Sequence, residues 1–89
     1  MNEKIIVIYE NHTLKAEKIY SNGINSPEGF WYCQKEAEWV SLMSGEAELE
    51  FEDNVIHLKK GENFMIPRFM KHRVASASTD CVWFCIYFK

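Results

Sequence analysis

Apolar and polar residues alternate with period two along most of this chain, and no window of a dozen residues carries a 3.6-residue repeat with caps. The pattern predicts an all-β protein. Leu14 to Tyr20 reads as a strand, and the turn-forming stretch from Ser21 to Gly29 separates it from the next, expected over Phe30 to Gln34. Further strands are expected at Trp39 to Met43, Ala47 to Glu52, Val55 to Leu58, Asn63 to Ile66, His72 to Ala77 and Val82 to Phe88. The last is almost continuously apolar, the pattern of a strand buried on both faces. Ile5 to Tyr9 predicts an edge strand used for association. Glu46, Glu48, Glu50 and Glu52 alternate with Ala47, Leu49 and Phe51, which gives one solvated face and one packed face. Short strands with turns every eight to twelve residues predict a sandwich or closed barrel.

Length and composition narrow this further. A chain of 89 residues is read as a single domain, residues 1–89, with one core. An apolar content of 47% is ample for that core, while the longest purely apolar run, Cys81 to Phe88, is far too short for a bilayer, and the N-terminal run, Ile5 to Tyr9, is too short for an export signal. A net charge of −3 with interspersed signs leaves no basic stripe, so nucleic acid and anionic membrane are excluded as expected partners. Cys33, Cys81 and Cys85 cannot all pair within one chain and have no C-x-x-C spacing. They fit reduced thiols and a cytoplasmic location, with Cys81 and Cys85 as small buried hydrophobes.

The candidate chemistry comes from two spacings. Gly61, five residues, Pro67 and then His72 puts an imidazole just past a junction of strand and turn. Glu38, six residues before Gly45, puts a carboxylate at the start of a strand that ends in a turn. If these strands face each other across a small barrel, carboxylate and imidazole converge in an apolar cup, the beginnings of a metal or acid–base site. His57 and His12 are expected at the surface. Trp31, Trp39 and Trp83 read as core or interface residues, one of them lining the mouth of a pocket.

The two spacings resemble the two motifs of the cupin superfamily, small β-barrels of the jelly-roll type. The first is G(x)5HxH(x)3,4E(x)6G: Glu38 and Gly45 match it, and its two histidines fall on Tyr32 and Gln34. The second is G(x)5PxG(x)2H(x)3N: Gly61, Pro67 and His72 match, while Phe69 replaces its glycine and Ser76 its asparagine. The stretch Pro27 to Gln34, Glu38 to Val40 and Gly45 to Phe51 is similar to small stand-alone cupins with glutamine in place of the second histidine.

The resemblance implies a jelly-roll (double-stranded β-helix) barrel with a divalent cation held by Glu38 and His72, Gln34 adding its amide oxygen and Tyr32 lining the pocket. An amide oxygen is a weaker donor than imidazole, and a phenol ionises only near ~10. Iron, manganese, nickel or zinc would suit such a set. Three readings follow: a metal-dependent enzyme acting on a small organic molecule, a metal-free ligand-binding or sensor module, and a purely structural domain in which Gln34, Glu38, Tyr32 and His72 form a buried hydrogen-bond network. A homodimer is expected in all three, because the N-terminal segment and the last strand carry more apolar surface than one small barrel must bury.

Overall fold

The computed structural model describes residues 3–89. Eight strands follow one another in the chain: β1 (Lys4–Glu10), β2 (Leu14–Tyr20), β3 (Ala37–Ser44), β4 (Glu46–Phe51), β5 (Val55–Lys59), β6 (Asn63–Ile66), β7 (His72–Ala77) and β8 (Val82–Phe88). They form a five-stranded sheet in the order β1-β2-β8-β3-β6 and a three-stranded sheet in the order β5-β4-β7, all pairs antiparallel. This is the jelly-roll arrangement, and every element is β.

The period-two pattern positions the core. Val40 and Leu42 on β3, Ala47, Leu49 and Phe51 on β4, Leu58 on β5, Ile66 on β6 and Trp83 and Cys85 on β8 point inward from both sheets into one cluster. The turn between β3 and β4 demands its glycine: Gly45 has φ 80°, and a β-carbon there would strike the Ser78 hydroxyl and approach Cys81 Cα to 2.9 Å.

Two expected elements differ. Phe30 to Gln34 is not a strand. It follows the turn at Pro27 and Gly29, and its one ladder contact is an isolated bridge between Tyr32 and His72, with Tyr32 N donating to His72 O at 2.8 Å and His72 N to Tyr32 O at 3.0 Å. β8 is not buried on both faces either. Trp83 and Cys85 are inside, whereas Phe84 alternates to the outer face, where it is only half-buried and meets Trp39 edge-on at 6.2 Å.

Candidate functional site

Cross-strand register determines which side chains share the inner face of the large sheet. Lys15, Tyr87, Glu38 and Ile66 stand side by side on β2, β8, β3 and β6, and Glu17, Cys85, Val40 and Phe64 form the adjacent row. Toward the other end the row is Ile19, Trp83 and Leu42. Opposite them, β4 and β7 present Leu49, His72 and Val74. Between the two walls lies a cavity of about 420 Å³, lined by Glu38, His72, Gln34 and Tyr32 among others. All four candidate residues therefore share one cavity. Trp83 is the tryptophan that lines it.

Glu38 is 6% exposed and His72 5%. His72 Nδ1 donates to the Met70 carbonyl at 2.9 Å, which leaves Nε2 as a lone-pair acceptor, 3.7 Å from Glu38 Oε1. The imidazole is stacked on Tyr32, with ring centres 5.6 Å apart, and Phe51 lies 6.4 Å away on a tilted ring. Burial lowers its pKa from the ordinary 6.5, against the opposing effect of the Met70 bond. The Glu38 carboxyl moves the other way, to about 7, chiefly because burial disfavours its charge. Hydrogen bonds from Cys85 and Tyr87 offset part of that rise, and the charge of Glu17 adds to it. Burial and the charges of Glu3 and Glu38 raise the Tyr32 phenol, so it remains a proton donor at neutral pH.

Gln34 sits in the segment that bridges the two sheets. Its carbonyl accepts from Phe69 N at 2.7 Å, and its side-chain Oε1 is buried without a hydrogen-bond partner. An unpaired buried acceptor costs about 1–3 kcal/mol, so its presence calls for an account. Among the described residues, no group of three or more His, Cys, Asp and Glu is arranged to hold a metal. Among the groups that line the cavity, the His72 imidazole nitrogen, the Glu38 carboxylate and this amide oxygen form a set with which a loosely held divalent cation is compatible.

Phe30, Phe69 and Met70, large enough to fill the cup, are turned out to solvent instead. Cys33 is exposed, its thiol donating to Phe69 O at 3.4 Å, and it does not line the cavity. Cys81 and Cys85 are buried as expected, and Cys85 also serves the site by donating to Glu38. His57 is on the surface, 3.0 Å from Glu46, and His12 is exposed. The residues that sequence reasoning missed are Glu17, Lys15 and Tyr87. Their signal was latent in the alternation of β2 and β8, but only the pairing of those strands with β3 brings them beside Glu38.

Fold and site together define a small jelly-roll barrel with a polar cluster inside its apolar cup. The chain belongs to the cupin family: the cupin domain matches residues 28–87. Among solved structures, a protein of Ralstonia eutropha JMP134 named as a candidate mannose-6-phosphate isomerase is 34% identical, with a TM-score of 0.93 over 98% of this chain and 84% of its own. An RmlC-like cupin of Shewanella frigidimarina NCIMB 400 is 19% identical, with a TM-score of 0.84 over 98% of this chain and 76% of its own. KdgF of a Halomonas species is 16% identical, with a TM-score of 0.85 over 98% and 80%. Comparison with curated proteins finds no match.

Proposed function

We propose that this cupin binds a divalent transition metal, iron, manganese, nickel or zinc, through Glu38, His72 and Gln34, and acts on a small organic substrate in the cavity beside it. The observation that carries the reading is that three groups able to ligate a cation line one cavity: His72 through Nε2, the Glu38 carboxylate 3.7 Å from it, and the buried, unpartnered Gln34 Oε1. A bound cation satisfies all three. It would supply Lewis-acid polarisation of a substrate carbonyl, or oxygen chemistry in the case of iron.

The chain's own groups do the rest. The Met70 carbonyl fixes the tautomer of His72, and Tyr32 and Phe51 limit the rotation of its ring. Cys85 and Tyr87 orient Glu38. Tyr32, still carrying its proton, stacks on the imidazole and offers a proton donor in the same cavity. The candidate isomerase name of the Ralstonia protein is in keeping with a small-molecule enzyme of this kind.

A metal-free ligand-binding module is the second reading. It is favoured by the substitution of an amide for the imidazole of the motif, which keeps hydrogen-bonding capacity while weakening ligation. Metal content of untagged, chelator-free protein, measured by mass spectrometry beside His72→Ala and Glu38→Gln, separates the two readings. The first expects near-stoichiometric metal that both variants lose. The second expects none, together with a melting temperature that rises with a small ligand alone. In either case we propose a cytoplasmic homodimer paired through β1.

A further inference from the structure

The charged lining of the cavity consists of Glu3, Glu17, Glu36 and Glu38 against Lys15 and Lys89, with His72 held as the neutral tautomer described above. Both lysines are already engaged. Lys15 Nζ lies 3.3 Å from Glu17 and 5.2 Å above the Tyr87 ring, and Lys89 Nζ lies 2.6 Å from Glu10 and 2.9 Å from the Asn11 carbonyl. Proteins bind phosphate with arginine forks, helix N-termini or glycine-rich backbone nests. No arginine and no glycine lines this cavity, and the described residues form no helix.

What the cavity does offer is the opposite set: carboxylates, the Gln34 amide oxygen, the His72 lone pair, and the faces of Tyr32, Trp83 and Tyr87. Glu17 is the best placed of the carboxylates outside the proposed metal set. It is buried, one row from Glu38, and Lys15 Nζ approaches it at Oε2. Carboxylates and aromatic faces together recognise ammonium groups.

We infer that the metal-free cavity takes a small organic cation, a primary amine whose ammonium meets Glu17, and that it rejects phosphate esters. This rests on the reading of the cavity as a ligand site and specifies its ligand class. The sugar phosphate in the name of the Ralstonia protein would then be the wrong charge for this chain.

Three hexoses of similar size and different charge provide the test: glucosamine, glucose and mannose 6-phosphate, each titrated into the full-length protein at pH 7 and followed by protein-observed NMR, with and without Zn²⁺. Glucosamine is expected to bind at least tenfold more tightly than glucose, mannose 6-phosphate to cause no saturable shift, and Glu17→Gln to remove the preference while its melting curve shows it folded. Mannose 6-phosphate binding as well as glucosamine, or a Glu17→Gln variant with the wild-type preference, would overturn the inference. Binding of none of the three by protein that still takes up Zn²⁺ would overturn the ligand class and leave the metal reading intact. Failure to take up Zn²⁺ with the amine preference present would do the reverse.

Discussion

Glu38 and His72 face each other at 3.7 Å as a buried pair whose titrations are displaced in opposite directions, the carboxyl up to about 7 and the imidazole down from 6.5. A stabilising ion pair would move them the other way. The relationship is that of two desolvated groups, each disfavouring its charged form.

Glu38 therefore limits stability at alkaline pH. Its folded pKa lies above the ordinary 4.5, so the folded state holds more protons between 4.5 and about 7, and stability falls as pH rises through that window. The cost above pH 7 is roughly 3 kcal/mol. Glu38→Gln is expected to raise the melting temperature of metal-free protein at pH 8 and to flatten this part of the profile. His72 acts in the opposite sense: its folded pKa is below 6.5, so its contribution is present above that value and is lost as pH falls through the folded pKa. Thermal melts of wild type, Glu38→Gln and His72→Ala from pH 4 to pH 9 check both signs. A Glu38→Gln variant less stable than wild type at pH 8 would show that the carboxylate is compensated by an interaction not described above.

Gln34→Leu tests whether the orphaned amide is structural or functional. Its Oε1 has no partner to lose, so replacing it by an apolar group of similar volume is expected to leave stability unchanged or raise it by about 1 kcal/mol. Zn²⁺ affinity is expected to fall about tenfold, read by calorimetry. A loss of 2 kcal/mol or more with unchanged Zn²⁺ binding would assign Gln34 to the fold alone.

Phe69 stands where the second cupin motif has glycine, and it keeps the glycine conformation, φ 61°, with 66% of its surface exposed. A side chain in this region costs about 1 kcal/mol relative to glycine. Phe69→Gly is therefore expected to leave the chemical-denaturation midpoint unchanged or higher, although it removes the largest side chain on that turn. A clear fall would mean that the exposed ring is held by a contact made in an assembly.

All seven residues of β1 are exposed, and Ile5, Ile6, Val7, Ile8 and Tyr9 form an apolar edge of the large sheet. Such an edge invites pairing with another chain. Ile6→Lys with Ile8→Lys is expected to convert a dimer to a monomer by light scattering at micromolar concentration, with the jelly roll intact by circular dichroism. A wild-type monomer under the same conditions would remove the proposed dimer.

Much of the fold was legible because period-two alternation and turn residues are local signals: β2, β6, β7 and β8 begin and end where the pattern places them. Phe30 to Gln34 misled because aromatic residues favour strands, while here they serve a bridging segment with one ladder contact. The two anchors of the site were legible for a similar reason. Pro67 and Gly45 punctuate the chain at fixed distances from His72 and Glu38, so spacing alone brought both into view. Glu17, Lys15 and Tyr87 were not legible, since their place beside Glu38 depends on the pairing of β2 with β8 and β8 with β3, strands distant in sequence.

The most direct test of a metal held by Glu38, His72 and Gln34 is calorimetric titration of chelator-stripped protein with Zn²⁺ at pH 7.5, in wild type, His72→Ala and Glu38→Gln. One ion bound per chain in wild type, and none in either variant although Glu38→Gln remains folded, is the predicted result. Absence of binding in wild type, or undiminished binding in both variants, would contradict it.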